Sequence, residues 1–198
     1  MFSQRINDRH SLRQLTVRDA PEIFALVEAN RAYLRRWLPW LDMTRSVGDS
    51  QRFLQSVAQQ CEDNHGVQAA ILLDGRIVGV AGYHRIDWQN RHTSIGYWID
   101  EARQGYGLVT ASCRVLVDHA FASFNLHRLT ITCAPGNTRS VAIPQRLGFT
   151  REGRAREVEW LYDHFVDHEV YALLQQEWEA QIIGRMAESA VKPSTGSP

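Results

Sequence analysis

Apolar and polar positions recur with different periods along the chain, and those periods predict its elements. Ser11 to Thr16 reads as a short strand. Asp19 stands at a helix N-cap position with Pro21 in the first turn, and that helix is expected to reach about Glu28. Tyr33 to Leu41 is aromatic-rich and holds Trp37-Leu-Pro-Trp40. Ser46 to Gln60 has the spacing of an amphipathic helix carrying Phe53, Leu54 and Val57. The centre then changes character. Val67 to Leu73 is an apolar run, Asp74-Gly75 is a hairpin turn, and Arg76 to Tyr83 is rich in small and β-branched residues. With Thr93 to Ile99 these runs predict an antiparallel meander.

Beyond the meander, Gln104-Gly-Tyr-Gly107 is expected to open a helix in which Leu108, Ala111, Val115, Leu116, Ala120 and Phe124 recur mostly three or four apart. Leu129 to Cys133 alternates as a strand does. Asn137 can cap a helix ending at Leu147, with Gly148 just past its C-terminus. A last strand is expected near Phe165 to Leu173. The order predicts an α/β (α+β) domain with a mixed sheet. No internal repeat interrupts it. One domain over 1–183 is expected, followed by a flexible tail over 184–198, because Lys192 to Pro198 has loop composition.

Composition narrows the function. There are 22 basic and 22 acidic side chains, so the net charge is zero. That argues against a nucleic-acid partner, which needs a concentrated basic surface. No apolar run approaches the ~18–20 residues of a membrane span, so no membrane partner is expected. Met1 to Leu15 has no apolar signal-like stretch. Cys61, Cys113 and Cys133 lie far apart without a CxxC pair, so neither a metal site nor a disulfide framework is implied, and a reduced cytoplasmic setting fits.

The strand–turn–helix from Ile95 to Phe124 carries the first chemical signal. Gly105 and Gly107 bracket Tyr106 at the expected helix N-terminus. Backbone N–H groups there lack intrahelical partners, and the helix dipole adds positive charge, which suits a pyrophosphate. A strand-to-helix turn that needs glycine only for its backbone geometry gives the same pattern. Neither Gly-Lys-Ser/Thr nor a full GxGxxG is present, position 110 being Thr.

Gln104-Gly-Tyr-Gly-Leu-Val109 resembles the pyrophosphate loop of the GNAT acetyltransferase superfamily. Gln104 and Gly107 match, while Val109 departs where a small residue is usual. Ile95-Gly-Tyr-Trp-Ile-Asp100, Asn137-Thr-Arg-Ser140, Ala142 to Phe149, Glu157-Val-Glu-Trp160 and Asp167-His-Glu-Val-Tyr171 extend the resemblance to the ribosomal-protein-serine N-acetyltransferase group. It covers about Ser11 to Trp178. It implies a mixed, largely antiparallel central sheet flanked by helices, with acetyl-CoA as co-substrate and no metal. By that resemblance, Trp98 and Ile99 pair with the acetyl-pantetheine arm. Gln104, Gly105, Tyr106, Gly107, Leu108 and Val109 supply N–H donors to the pyrophosphate, and Asn137 bonds the arm. Ser140 sits near the thioester sulfur. Many members carry a tyrosine acid four residues after such an asparagine; here that position is Val141.

Amide formation needs a neutral amine, a polarised thioester carbonyl and a proton for the thiolate. An α-amine has a pKa of about 7.7–8.0 against about 10.4 for lysine, so freeing it at neutral pH costs about 1.4 kcal/mol. One carboxylate acting through water suffices, and Glu159 matches the subgroup's base. In a regular strand Glu157 and Glu159 would share a face, where one could raise the pKa of the other. Solvated surface acids give the same sequence, and Ser140 in a first helical turn can simply bond backbone. Of the eight histidines, His119, His127, His164 and His168 share no ligand spacing and read as surface or capping residues.

The expected activity is therefore acetyl-CoA-dependent N-acetylation of a protein N-terminal α-amine, such as that of a ribosomal protein. A small-molecule amine (an antibiotic, a polyamine or a toxic peptide-like compound) is the alternative acceptor. A non-catalytic acyl-CoA sensor is the alternative of another class. The resemblance also implies a homodimer. The zero net charge hides a division: residues 101–150 carry five basic and two acidic side chains, and residues 151–198 carry five and nine. The cofactor's phosphates and a cationic amine would each meet the favourable sign.

Overall fold

The computed structural model describes residues 2–191. Its elements are β1 (Ser3–Arg5), β2 (His10–Gln14), α1 (Ala20–Ala29), α2 (Arg31–Leu34), α3 (Val47–Glu62), β3 (Gln68–Leu73), β4 (Arg76–Tyr83), β5 (His92–Ile99), α4 (Leu108–Ala122), β6 (Arg128–Cys133), α5 (Thr138–Arg146), β7 (Thr150–Leu161), β8 (His164–Leu174) and α6 (Gln175–Val191). The strands form one eight-stranded sheet in the order β1-β2-β3-β4-β5-β6-β8-β7. Every neighbouring pair is antiparallel except β5 with β6. The expected meander is β3–β4–β5, turned at Asp74-Gly75.

Side-chain alternation along the strands divides the core in two. Ala69, Ile71, Ala81 and Tyr83 pack with Leu116, Ala120 and Phe121 of α4. Ala70, Ile77 and Val80 pack with Ile23 and Val27 of α1 and Leu54 and Val57 of α3. Strand β4 is covered on both faces and buried from Ile77 to Tyr83, which accounts for its nearly continuous apolar run. Leu116 is fully buried, and burial of such a side chain contributes roughly 1.5–3 kcal/mol. Ser46 caps α3 by accepting from the Asp49 N–H at 3.2 Å.

One irregularity positions the site. The parallel contact of β5 with β6 spans only His92–Ser94 against Arg128–Thr130. Past it, β5 pairs only with β4 and β6 only with β8, so the two strands part. A gap opens in the middle of the sheet at the C-terminal ends of both.

Helix α2, a single turn, and three further elements exceed the sequence reading. Strand β1 is a short exposed edge strand. Strand β7 is twelve residues long but mostly solvent-facing and doubly bulged, so it lacks the alternation that identifies a strand. Helix α6 continues to Val191, through the first part of the stretch expected as a tail. Trp178 anchors it by stacking on Phe121 at 5.4 Å and donating to Asp118 at 2.7 Å. Residues 192–198 lie outside the described residues.

Candidate active site

A cleft of about 790 Å³ runs from the N-terminus of α4 to the parted end of β5. Its turn is built for donation. Gly105 and Gly107 have φ of +81° and +74°, and nothing lies within 4 Å of where either Cβ would stand. Glycine is therefore required for backbone direction, not for space. The first bond of α4 runs from the Ala111 N–H to the Gly107 carbonyl at 3.0 Å. The N–H groups of Gly105, Tyr106, Gly107, Leu108, Val109 and Thr110 find no acceptor among the described residues. Six free donors at a helix N-terminus fit a diphosphate.

Gln104 differs from the sequence expectation. Its N–H is taken by the Glu101 carbonyl at 3.3 Å. Its side chain braces the turn instead, donating to the Tyr33 hydroxyl and accepting from Arg139. The Tyr106 side chain is 72% exposed and outside the cleft lining, leaving its backbone as the available group. Val109 is buried and packs into the core beneath the turn.

Composition pointed to positive charge here but to no residue. Arg103, Arg114, Arg139 and Arg146 all line the cleft, and none forms a salt bridge among the described residues. Guanidinium groups without a carboxylate partner, lining the same cleft as free N–H donors, suit a polyanion. The excess of basic over acidic residues in 101–150 was the available signal.

The inner end is formed by Tyr97, Trp98, Ile99, Asn137 and Ser140. Two ladder bonds, Asp100 N–H to Val78 at 2.8 Å and His84 N–H to Ser94 at 2.9 Å, turn the even-numbered residues of β5 towards β4. Antiparallel alternation then turns the N–H and C=O groups of Tyr97 and Ile99 into the gap. Ile99 thus offers the edge the sequence expected, whereas the Trp98 backbone faces β4 and its side chain packs on Trp40 at 6.2 Å. Asn137 caps α5, its Oδ1 accepting from the Ser140 N–H at 3.2 Å. Its amide Nδ2 has no partner among the described residues. The aromatic segment divides its work: Tyr33, Trp37 and Leu38 line the cleft, and Trp40 packs in the core.

Ser140 does more than bond its own helix. Its Oγ lies 3.2 Å from the Tyr97 hydroxyl, which in turn lies 3.1 Å from the Ser140 carbonyl. Pro144 lacks the N–H that would bond that carbonyl in a regular helix. Burial pushes the nearby thiol of Cys133 up to about 11. Cys133 is thus the small core residue its strand position suggested.

Glu159 lies outside the cleft lining, on the other face of the sheet. It pairs with Val166 in β8, and Thr132 of β6 pairs with Val170, so Glu159, Val166, His168, Val170 and Thr132 share one face. The neighbours Ile131 and Cys133 point oppositely, into the core beneath α4 and α5. His168 Nε2 stands 3.4 Å from Glu159 Oε2, with both side chains partly exposed. Sequence reading missed this partner because the contact crosses from β7 to β8.

The expected Glu157–Glu159 pairing on a regular strand does not form. The register shifts between Ala155 and Glu159, and Glu157 has φ of +49°. The Glu157 side chain is exposed, and its N–H donates to Asp167 at 2.9 Å. The acidic excess of the last block is also partly neutralised. Glu169 is clamped by Arg151 and Arg154, which hold its carboxyl below the usual range, and Glu152 pairs with Arg128.

The tip of the β7–β8 hairpin returns to the cleft. The Tyr162 hydroxyl donates to the carbonyl of Leu38, a cleft-lining residue, at 2.5 Å. Arg35 stacks on the Tyr162 ring at 3.7 Å. The strand end carrying Glu159 is thereby tied to the segment that walls the cleft. No cluster that would hold a metal ion occurs among the described residues.

Comparison with known proteins agrees with this geometry. Residues 9–150 match the acetyltransferase (GNAT) domain model. The chain is 36% identical over 185 residues to a putative ribosomal N-acetyltransferase of Bacillus subtilis, covering 91% of this chain and 100% of that one. A structure of the ribosomal L7/L12 alpha-N-protein acetyltransferase in complex with coenzyme A superposes with a TM-score of 0.85 at 26% identity, covering 89% of this chain and 99% of the other. The microcin C7 self-immunity acetyltransferase, in complex with acetyl-CoA and AMP, gives 0.82 at 27% identity, covering 85% and 94%. The fold, the cleft and these similarities converge on one assignment: the chain belongs to the GNAT family of acetyltransferases and is an N-acetyltransferase.

Proposed function

We propose that this enzyme transfers an acetyl group from acetyl-CoA to the α-amine of a protein N-terminus. The observation that carries the reading is the run of six unpartnered N–H groups, Gly105 to Thr110, at the outer end of a cleft that leads to the gap between β5 and β6. A diphosphate bound there, with Arg103, Arg114, Arg139 and Arg146 around it, sends its pantetheine arm along the edge of Tyr97 and Ile99. Asn137 Nδ2 meets the arm. The thioester then reaches the gap.

The acceptor enters from the Glu159 face. Glu159 takes one ammonium proton through a water, which costs little for an α-amine at neutral pH. The nitrogen attacks the thioester carbonyl carbon, whose oxygen accepts from backbone N–H of β5. The C–S bond breaks as the amide forms, and the nitrogen's second proton ends on the sulfur. Ser140 donates a hydrogen bond to the departing thiolate. His168 beside Glu159 fixes the carboxylate's orientation. A cytoplasmic setting belongs to the same reading.

The similarity to the microcin self-immunity enzyme supports a second reading, in which the acceptor is a small-molecule amine. An acetyl-CoA assay against N-terminal peptides and small amines separates them. Turnover of several peptides with different N-terminal residues supports the proposal. Turnover of small amines alone supports the second reading. Binding of acetyl-CoA without turnover of any amine supports a sensor.

A further inference from the structure

The position where many superfamily members carry a tyrosine acid is Val141 in this chain. A tyrosine hydroxyl nevertheless reaches the same turn of α5, delivered from β5. Tyr97 Oη lies 3.1 Å from the Ser140 carbonyl and 3.2 Å from Ser140 Oγ. Counting protons fixes the directions. The carbonyl can only accept, so the single Tyr97 proton goes to it. Oη is then left to accept, so the single Ser140 hydroxyl proton points at Tyr97. The loop closes on two atoms of one residue. It exists because Pro144 withholds the N–H that would otherwise occupy the Ser140 carbonyl. Burial raises the Tyr97 pKa well above its ordinary value, so the ring stays a neutral donor.

We propose that Tyr97 is a positioning residue for acetyl transfer, holding the Ser140 hydroxyl in one rotamer at the thioester end of the cleft. This rests on the reading of Ser140 as the group that meets the thiolate. At rest the Ser140 hydroxyl donates its hydrogen bond to Tyr97 Oη. When the C–S bond breaks, the Ser140 hydroxyl turns to the sulfur, and the Tyr97 hydroxyl turns from the carbonyl to Ser140 Oγ. Only hydrogen bonds rearrange among these residues, since the proton that ends on the thiol comes from the acceptor nitrogen. Without Tyr97, Ser140 samples three rotamers and its hydroxyl can bond backbone instead.

The test is a double-mutant cycle of wild type, Ser140→Ala, Tyr97→Phe and the double variant, measuring kcat, KM for acetyl-CoA and melting temperature. Tyr97→Phe is expected to lower kcat about tenfold, the scale of one lost hydrogen bond, with KM for acetyl-CoA unchanged. The double variant is expected to be no slower than Ser140→Ala alone. Multiplying losses, or a normal Tyr97→Phe beside a slow Ser140→Ala, overturn the proposal and leave the Ser140 reading standing. A normal Ser140→Ala overturns both. Pro144→Ala separates catalysis from folding, because its new N–H can satisfy the Ser140 carbonyl. The kcat loss from Tyr97→Phe is expected to persist in that background while its melting-temperature loss shrinks; a kcat loss that disappears with the stability loss overturns the proposal.

Discussion

The two sides of the gap between β5 and β6 are built by different means. On the proposed cofactor side the groups are mostly backbone: the N–H donors of Gly105 to Thr110 and the open edge of Tyr97 and Ile99. They are aimed by one turn and one strand that follow each other in the chain. On the proposed acceptor side the groups are side chains, Glu159 and His168, brought together across two strands. The first side tolerates changes of side chain wherever the backbone conformation is kept. The second depends on register, and a bulge between Ala155 and Glu159 sets that register.

The largest expected effect separates the two sides outright. Glu159→Gln removes the proposed base and leaves the cleft intact. We expect kcat to fall about 10²- to 10⁴-fold, the usual contribution of general-base catalysis, with acetyl-CoA affinity by calorimetry within about twofold of wild type. Gly107→Val does the reverse. A β-branched residue at φ of +74° costs about 1–3 kcal/mol of strain and shifts the donor groups. Acetyl-CoA binding should weaken about tenfold or more, while the KM of the acceptor barely moves. Tyr162→Phe cuts the tie between the hairpin and Leu38 and costs about 1 kcal/mol in chemical denaturation. A several-fold rise in acceptor KM, without a change in acetyl-CoA affinity, would place that tie on the acceptor side.

The smallest effect concerns neither side and serves as their control. Burial lowers the pKa of His10, whose ring nitrogen lies 3.0 Å from Ser112 Oγ beneath α4. The unfolded chain takes up a proton near pH 6.5, before the folded His10 does. His10 therefore subtracts nothing above about pH 6.5, and stability falls as the pH drops from there towards the lower folded value. Thermal melting between pH 7.5 and 5.5 should show a decline that His10→Gln reduces, with acetyl-CoA affinity at pH 7.5 unaffected.

This contrast also decides what the sequence made legible. The turn at Gly105–Gly107, the cap at Asn137 and the meander are local, and each carries its own residue chemistry. The split of β5 from β6 is a relation between strands far apart in the chain, His92 pairing with Arg128, and no local pattern carries it. Tyr97 looked like one aromatic in an alternating strand, and its bond to Ser140 depends on where α5 docks. The four cleft arginines come from two helices and one turn, visible only as a charge excess. Glu157 and Glu159 show the opposite failure. Period-two alternation put them on one face, and a bulge that no residue pattern announces removed the premise. His168 was set aside for want of ligand spacing, since its partner is a carboxylate on the neighbouring strand.

In the proposed arrangement the gap joins a cofactor cleft to a base that serves an α-amine. This arrangement is tested most directly by incubating the protein with acetyl-CoA and ribosomal-type N-terminal peptides that also contain an internal lysine, then locating any acetyl group by fragmentation mass spectrometry. One acetyl group is expected, on the α-nitrogen, and it is lost in Glu159→Gln. Acetylation at the lysine instead, or unmodified peptides in a reaction that acetylates small amines, would contradict it.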